Sequence, residues 1–476
     1  MSQSSLEIRY TPSGIDREGI KALLSRFSLD RPVHVVFIGT KPDIIKQYPV
    51  WQELARRGEQ VAVCHSGQHT DYAYSEGMLQ EFGMPVDVRL VMGDGLDLGA
   101  RVAALITSAN SLFVTATETG HTLVPYTHGD TATSMGVTVA AYMNRVACVH
   151  VEAGIRTMTP KREFLTQHIA DFEAGRFDWD AYLAGHRELD TYAFGSKEPF
   201  PEQFNTRVSD AGTGFHAAPV ELVRGFLLNE GYPADAIAVV GNTVVDATLE
   251  AKERAASSTI FQRFPQLLSG EFIRVCLHRR ENTNDRARFT TYFDAVEKLL
   301  RTGHSVLWVS LKGTEWALNA WELQGRLDAL EEEFPETLIV TSVWPEYSDV
   351  IAAFLKCSLI ATDSGSMQEE ANTLGVPCVT MRFGTDRGES LLAGGNVLAP
   401  PVSAGFVAEV VSAAAKHRDQ LVAEPIYGTD CALRLIDEVL ARVKVPGGLF
   451  RSEEEVLRLP GSDSDWPSEP VTRVTA

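Results

Sequence analysis

The sequence predicts an α/β fold made of two doubly wound domains. Short apolar runs rich in β-branched residues alternate along the chain with stretches whose apolar residues recur at helical spacing. Regular alternation of this kind is typical of parallel sheets that are covered by helices on both faces. With 476 residues, 44% of them hydrophobic, the chain is long enough to bury two cores of ordinary size.

The candidate strands fall into two groups. The first half of the chain contains "HVVFIGT", "QVAVCHS", "ACVHVEAG" and "IAVVGN", and the second half contains "FIRVCLH", "SVLWVSL", "LIVTS", "SLIAT" and "PCVTM". Each group is expected to form one sheet. The intervening spacing predicts helices over residues 43–57, 97–109, 131–144, 243–255, 285–302 and 403–416.

Changes in composition divide the chain further. A polar segment separates the two groups of strands, and the last residues are acidic and rich in Pro and Ser. We predict an N-terminal extension (1–31), a first domain (32–256), a linker (257–271), a second domain (272–430), a helix that packs back on the first domain (430–448) and a disordered tail (449–476).

Charge and composition exclude several classes of protein. The formal net charge is −20 and the pI is near 5.1, which disfavours binding to nucleic acid or to an anionic membrane surface. The sequence shows neither a signal peptide nor an apolar run of ~20 residues, so we expect a cytoplasmic protein. Its six cysteines are scattered without a C-x-x-C pair, which favours buried thiols over disulfides or a metal site.

Polar clusters follow several predicted strands, where doubly wound sheets bind their ligands. "GTKPDIIK" places Lys41 and Lys46 about one helical turn apart, either to contact a phosphate or as two solvated lysines. "THGDT" places Asp130 where it is either a functional group or a helix N-cap. "HVEAGIRT" places Glu152 directly after a strand, where a role in proton transfer competes with a structural ion pair to Arg156.

Three later clusters have the same placement. "PEQFN" brings Glu202 after a Pro-rich approach, which alone is unremarkable. "CLHRREN" ends a strand in His278 and Arg279, which suggests an anion site or, alternatively, a solvated basic loop. "TDSGSMQEEANTLGVP" opens a helix whose unpaired amides form an anion seat. One turn later, Glu370 would repel a phosphate but would suit a pair of hydroxyl groups.

One glycine-rich segment resembles a dinucleotide-binding fingerprint. In "LVMGDGLDLG", 90–99, the third glycine comes one position late, and no acidic residue follows a second strand at the expected distance. NAD binding is therefore disfavoured, and no cofactor is expected.

The motifs taken together resemble one family. "GTKPDIIK", "HGDT", "HVEAGIRT", "PEQFN", "GNTVVDA", "HRREN", "PEY", "TDSGSMQEEANTLGVP" and "MRFGTDRGES" are similar in order and spacing to the UDP-N-acetylglucosamine 2-epimerases of the bacterial non-hydrolysing branch. The resemblance covers roughly residues 32–440. It implies two Rossmann-like domains in a GT-B arrangement, with the nucleotide sugar in the interdomain cleft and the nucleotide on the second domain.

The resemblance also implies roles for individual residues. Asp130, Glu152 and Glu202 match the acid/base carboxylates of the family, and His278 matches its leaving-group histidine. The implied substrate-binding and nucleotide-binding residues are Lys41, Lys46, Arg279, Tyr347, Ser364, Gly365, Ser366, Glu370 and Arg387. No metal is implied, and a homodimer is expected.

The implied reaction converts UDP-GlcNAc to UDP-ManNAc. The proton on C2 of the sugar is not next to a carbonyl group, so simple deprotonation is difficult. Elimination of UDP to a 2-acetamidoglucal, followed by re-addition, avoids this difficulty and requires carboxylates near the sugar and cations near the diphosphate. A hydrolysing 2-epimerase and a GT-B glycosyltransferase are the alternatives.

The sequence departs from the family at several points. Lys41 stands where an arginine is usual, and Gly388 stands where relatives commonly have a proline. "GQHTDYA", 67–73, keeps only the start of a segment that in some relatives contacts an activating second UDP-GlcNAc. The largest departure is an insertion, 158–200, with predicted helices at 163–174 and 178–189. The insertion is interpreted as a lid, a dimer contact or a surface ornament.

Overall fold

Two parallel sheets, each covered by helices on both faces, form the frame of the molecule. A computed structural model describes residues 5–9, 17–69, 71–91, 97–422 and 425–443. The first sheet has eight strands and the second has six, and a separate pair of antiparallel strands completes the described strands. The predicted α/β class with two doubly wound domains is confirmed.

The elements follow one another along the chain in the predicted alternation. The strands are β1 (Leu6–Arg9), β2 (Val33–Ile38), β3 (Gln60–His65), β4 (Val88–Val91), β5 (Leu123–His128), β6 (Cys148–Val151), β7 (Met158–Pro160), β8 (Tyr192–Phe194), β9 (Thr213–Ala218), β10 (Ile237–Val239), β11 (Phe272–Cys276), β12 (Ser305–Ser310), β13 (Leu338–Ser342), β14 (Leu359–Thr362), β15 (Cys378–Thr380) and β16 (Asn396–Leu398). The helices are α1 (Arg17–Leu24), α2 (Lys41–Arg56), α3 (Glu76–Phe82), α4 (Leu98–Glu118), α5 (Ala132–Met143), α6 (Arg162–Glu173), α7 (Trp179–His186), α8 (Glu202–Ala211), α9 (Glu221–Asn229), α10 (Val244–Ala255), α11 (Ile260–Arg263), α12 (Arg280–Thr283), α13 (Arg286–Arg301), α14 (Lys312–Ala320), α15 (Gln324–Glu333), α16 (Tyr347–Phe354), α17 (Gly365–Leu374), α18 (Gly388–Leu392), α19 (Ala404–Lys416) and α20 (Cys431–Val443).

The order of strands reverses near the centre of each sheet. The first sheet runs β1-β4-β3-β2-β5-β6-β9-β10, so its order reverses between β2 and β5. The second runs β13-β12-β11-β14-β15-β16 and reverses between β11 and β14. A crevice opens beyond the carboxyl ends of the strands at each reversal, and these crevices are the usual ligand sites of such sheets.

Helix α4 extends past its predicted end at residue 109. Leu112, Phe113 and Ala116 continue its buried face, because they pack in the core beneath the first sheet. By length and composition alone α4 could cross a membrane, contrary to the expectation that no such apolar run exists. Buried core helices of folded domains pass the same test, and here α4 packs along α5.

Leu6–Arg9 belong to the first sheet, although the sequence predicts an extension over residues 1–31. Strand β1 pairs in parallel with β4 at the edge of that sheet. Ile20, Leu23 and Leu24 on one face of α1 are buried in the same core as Ile8. A strand of four residues is too short to give a clear alternating pattern, so the sequence alone did not indicate it.

The end of the described chain returns to the first domain. Helix α20 packs against α2, and Asp246 on α10 accepts hydrogen bonds from the backbone amides of Cys431 (3.1 Å) and Ala432 (2.8 Å). Helix α11 lies within the predicted linker. The predicted disordered tail, 449–476, lies outside the described residues.

The insertion, 158–200, folds as β7, α6, α7 and β8 and packs on the second domain. Tyr182 lies among aromatic side chains from both segments, including Phe406 of α19 at a ring-centroid distance of 6.0 Å. Its hydroxyl donates to the carbonyl of Leu398 (2.7 Å). The predicted insertion helices are therefore present, and they dock on a surface that the sequence did not identify.

Candidate active site

The two crevices face each other across a cavity of about 490 Å³. Pockets of this size are typical of small-molecule sites. Its lining comes from both domains, whereas no lining residue belongs to the insertion, so the structure does not support the lid interpretation. The predicted site residues among the lining are Lys46, Asp130, Glu152, Glu202, His278, Arg279, Ser364, Ser366 and Arg387.

The N-terminus of α17 forms one wall of the cavity. Ser364 is its N-cap and makes no side-chain capping hydrogen bond, so the first amides of the helix stay available to a ligand. A Cβ atom on Gly365 would lie 3.3 Å from Cζ of Arg387 and 3.4 Å from Nη2 of Arg279. Two guanidinium groups therefore lie against a helix N-terminus, and the helix dipole adds to their positive potential.

His278 adds a further positive charge to this wall. Its Nδ1 lies 3.3 Å from the carboxylate of Asp363, which also accepts hydrogen bonds from the backbone amides of His278 and Arg279. Burial opposes protonation of the ring, but the charge of Asp363 outweighs it and raises the pKa of His278 to about 10. His278 is therefore a cation at neutral pH, and Asp363 holds the whole turn in place.

Asp130 and Glu202 approach the cavity from the first domain and the end of the insertion. Asp130 Oδ2 and Glu202 Oε2 are buried and have no hydrogen-bond partner among the described residues. Burial raises the pKa of Asp130 to about 6, although Arg279 and Arg387 favour its ionised form. Thr131, not Asp130, caps α5 by accepting from the amide of Ser134 (3.1 Å). The N-cap alternative for Asp130 is therefore wrong.

Glu152 has the opposite surroundings, because four side chains donate hydrogen bonds to its carboxylate. Its backbone lies in the left-handed region with φ 64°, which is uncommon for a residue with a side chain and is found at functional sites. The carboxylate accepts from Lys46, from His128 Nε2 (3.2 Å), from Asn242 Nδ2 (3.1 Å) and from Arg387 Nη2 (2.6 Å). Burial disfavours its charge, but these cations hold its pKa well below the usual range.

The alternative partner considered for Glu152 is engaged elsewhere. Arg156 pairs with Asp210 (2.9 Å) and Glu230 (2.6 Å), so the predicted structural ion pair between Glu152 and Arg156 is wrong. Glu152 shares Lys46 and Arg387 with a second buried carboxylate, Glu369. Two cations and two carboxylates from opposite domains therefore form one buried ionic cluster.

Lys41, Tyr347 and Glu370 lie together but outside the cavity. The Tyr347 hydroxyl donates to Glu370 (3.0 Å), and Lys41 Nζ donates to the carbonyl of Trp344 across the domain boundary (2.8 Å). Burial raises the pKa of Glu370 to about 7 and lowers that of Lys41 to about 8. The prediction that Lys41 faces the diphosphate does not match this structure, in which its ammonium group is held by the second domain.

Several residues that organise the site were not singled out from the sequence. His128 bridges Glu152 and Asp43 (2.9 Å), and Asn242 donates to both Glu152 and Glu369 (3.0 Å). Burial lowers the pKa of His128, but Glu152 and the hydrogen bond to Asp43 outweigh it and raise it to about 9. Both residues stand in quoted motifs, "HGDT" and "GNTVVDA", so their position after a strand was the available signal.

Comparison with known proteins identifies the family. A family model described as UDP-N-acetylglucosamine 2-epimerase matches residues 52–169 and 184–441. A protein of Ralstonia solanacearum named "Probable UDP-N-acetylglucosamine 2-epimerase" is 32% identical over 374 residues, which make up 76% of this chain and 85% of that protein. The chain belongs to the UDP-N-acetylglucosamine 2-epimerase family. It is an enzyme of the isomerase class. The one internal stretch that the family model leaves unmatched, 170–183, falls inside the insertion.

Solved structures of the family share the fold. The crystal structure of Methanocaldococcus jannaschii UDP-GlcNAc 2-epimerase in complex with UDP-GlcNAc and UDP has a TM-score of 0.69 and 22% identity, covering 86% of this chain and 99% of that chain. The Neisseria meningitidis enzyme bound to UDP-GlcNAc has a TM-score of 0.68 and 24% identity, with the same coverage of 86% and 99%. The GT-B arrangement of two Rossmann-like domains is thereby confirmed.

Proposed function

We propose that the protein is a non-hydrolysing epimerase acting at C2 of a UDP-sugar and interconverting UDP-GlcNAc and UDP-ManNAc. The observation that carries the proposal is the division of the cavity into two walls. One wall is a helix N-terminus flanked by Arg279, Arg387 and His278. The other carries the carboxylates of Asp130 and Glu202, each with a buried oxygen atom that has no hydrogen-bond partner among the described residues, while the second oxygen of Glu202 pairs with Arg279 (3.0 Å). Membership of the family and the UDP-GlcNAc bound in two similar structures support this substrate class.

The cationic wall suits a departing diphosphate. The amides at the start of α17, with Ser364 and Ser366, would hold its oxygen atoms, and the two guanidinium groups would bind them with paired hydrogen bonds. When the bond between C1 and oxygen breaks, negative charge grows on the leaving UDP. His278, protonated at neutral pH, would stabilise that charge.

The carboxylates would move the proton on C2. In the forward direction an ionised carboxylate removes the C2 proton as UDP leaves from C1, and the electron pair of the C–H bond becomes the C1–C2 double bond of 2-acetamidoglucal. Protonation of C2 from the other face and return of UDP to C1 give the epimer. Asp130, with a pKa of about 6, is suited to both roles near neutral pH.

Glu152 would take part only after its cations find another anion. In the free protein Lys46 and Arg387 saturate its carboxylate, which keeps it ionised and unavailable as an acid. A diphosphate bound beside Gly365 would compete for the same two cations. We therefore assign Glu152 as the third acid/base carboxylate, released by the substrate itself.

The nucleoside would bind beside Glu370 in the second domain. Its carboxylate can accept hydrogen bonds from two neighbouring ribose hydroxyls, and Tyr347 already orients one of its oxygen atoms. Because Glu370 is buried in this structure, the contact between Lys41 and Trp344 must open to admit the nucleoside. The binding of a UDP-sugar is thereby coupled to movement between the domains.

Proton NMR of the purified protein with UDP-GlcNAc in deuterated water tests the proposal. The expected result is UDP-ManNAc carrying deuterium at C2, formed without added NAD or metal. An ¹⁸O label in the bond between sugar and phosphate should also move into non-bridging positions. Release of free ManNAc and UDP as the main products would favour the hydrolysing alternative, and retention of the C2 hydrogen in the product would refute the elimination mechanism.

Assembly as a homodimer and a cytoplasmic location stay predictions. The structure describes a single chain. One chain has a mass of 52.2 kDa, and sedimentation of the purified protein is expected to give twice that mass.

A further inference from the structure

The first strand of the insertion contacts the loop that carries Arg387. Met158 and Thr385 exchange both backbone hydrogen bonds, from the Met158 amide to the Thr385 carbonyl (2.8 Å) and from the Thr385 amide to the Met158 carbonyl (2.9 Å). Strand β7 therefore pairs with β8 along one edge and with residue 385 of the second domain along the other.

Two glycines of that loop leave space for the insertion. A Cβ atom on Gly388 would lie 2.1 Å from Sδ of Met158, and one on Gly384 would lie 2.5 Å from Oγ1 of Thr159. Neither glycine has the positive φ that would itself require glycine. The insertion therefore occupies the space that a side chain at either position would need.

The same loop fixes the guanidinium of Arg387. Thr385 accepts from the amide of Arg387 (3.0 Å) through its hydroxyl, which in turn donates to Gln368 on α17 (2.7 Å). Arg387 then donates to Glu152, Glu369 and Asp386. Met158 is fully buried, and its side chain covers the loop at Gly388 on the side that faces the insertion.

The insertion is held at both ends and in the middle. At its neck the Thr157 hydroxyl donates to the carbonyl of Glu198 (2.6 Å), which brings the two ends together. Arg288 of the second domain pairs with Glu198 (3.0 Å), and Trp179 Nε1 donates to Gln420 (2.7 Å). A segment that starts and ends in the first domain is therefore docked on the second, immediately beside the loop of Arg387.

We propose that β7 of the insertion positions Arg387. The contact between Met158 and Gly388 fixes the conformation of the loop that carries Arg387. The expected effect on turnover rests on the proposed function, in which Arg387 binds the leaving diphosphate. The connection between Glu152 and Glu202, which starts and ends in the first domain, thereby positions a residue of the second domain.

A pair of substitutions tests the contact. Gly388→Ala forces a methyl group against Met158 in a helix where alanine is otherwise favourable, so the loop must shift. Hydrogen exchange of residues 382–392 in the free protein should accelerate by about tenfold, and kcat should fall at least about fivefold with little change in KM. When Gly388→Ala is combined with Met158→Ala, the clash is removed. The exchange rate of residues 382–392 and kcat should then lie within about threefold of the values for Met158→Ala alone.

The matched control is Gly325→Ala, which adds a methyl group to a helical glycine of the same domain where no atom lies within 4 Å. It should change neither exchange nor turnover. Unchanged exchange and kcat in Gly388→Ala would overturn the proposal, and so would a double variant that differs from Met158→Ala as much as Gly388→Ala differs from the wild type. A fall in melting temperature with kcat per folded molecule unchanged would also overturn it, because that pattern indicates packing without positioning.

Two further outcomes keep the test decisive. Should Gly388→Ala fail to fold, Met158→Ala removes the contact without a clash and is expected to accelerate exchange over 382–392; unchanged exchange there refutes the proposal. If the wild-type protein epimerises no UDP-sugar, the proposed function fails, while the exchange measurements on the free protein still decide whether Met158 sets the loop.

Discussion

The carboxylates of Asp130 and Glu152 line the same cavity, but their surroundings differ completely. Asp130 has a buried oxygen without a partner and a pKa raised to about 6. Glu152 is saturated by four donors and has a pKa held well below the usual range. A carboxylate of the first kind is ready to exchange a proton, whereas one of the second kind is held as an anion until its cations are drawn away.

Replacing Asp130 tests whether the carboxylate with an unpartnered oxygen atom transfers a proton. Asp130→Asn should lower kcat by ~10²–10⁴-fold, because it removes a group that transfers a proton in the transition state. The free energy of unfolding at pH 7 should stay the same or increase, since a buried group that resists ionisation becomes neutral. Turnover and chemical denaturation measure the two effects, and UDP affinity should be retained. The control is Asp294→Asn, which changes an exposed ion pair and should leave turnover unchanged. Normal turnover in Asp130→Asn would contradict the role of Asp130 in proton transfer.

Replacing Glu152 tests whether the carboxylate that accepts from four donors stabilises the folded protein. Glu152→Gln removes one negative charge from a buried ionic cluster, which leaves Lys46 paired with Glu369 and Arg387 paired with Glu369 and Asp386. The free energy of unfolding should fall by ~3–5 kcal/mol, the usual result of removing one member of a buried ion pair. Denaturation by urea measures this effect. Glu202→Gln, at a partly exposed carboxylate, should cost far less, so equal stabilities of the two variants would mean that the comparison is mistaken.

Replacing Glu370 extends the comparison to the proposed nucleoside seat. Glu370→Gln should weaken UDP binding by one to two orders of magnitude, since a hydrogen bond to a charged group contributes ~1.5–3 kcal/mol. Because burial raises the pKa of Glu370 to about 7, its ionised form gains population as pH rises through that value. Wild-type UDP affinity should therefore increase from pH 6 to pH 8 more than that of the variant.

Calorimetry across this pH range measures both effects, with Glu409→Gln, at an exposed residue of α19, as the control. The comparison with the variant separates titration of Glu370 from titration of UDP itself. Identical affinities and identical pH profiles for the wild type and Glu370→Gln would remove Glu370 from the nucleotide site.

The sequence was sufficient for the fold and for much of the cavity lining. Strand ends are visible in local patterns, so residues such as Asp130 and Ser364 could be assigned to the ligand side of the sheets without any contact information. The partners of Glu152 could not, because Lys46 is 106 positions away and Arg387 is 235 positions away along the chain. Whether a carboxylate is free or saturated depends on tertiary contacts that no local pattern contains.

The insertion shows the same limit. Its two helices follow from the spacing of apolar residues, but that spacing does not say which surface is covered by Phe164 of α6 and Tyr182 of α7, whose rings stack on each other. The structure shows that they cover the second domain. None of the three interpretations, lid, dimer contact or ornament, specifies docking on the second domain of the same chain.

Helix α20 has a consequence for the synthesis of the protein. It covers α2 of the first domain, where Leu54 is buried in the same apolar cluster as Leu435 and Val439. A ribosome that has finished the first domain must therefore translate the second before this surface is covered. At about 5–20 residues per second that interval is roughly ten to forty seconds. During it the nascent chain exposes a hydrophobic face, which makes the unfinished protein a candidate client for chaperones that bind at the ribosome exit.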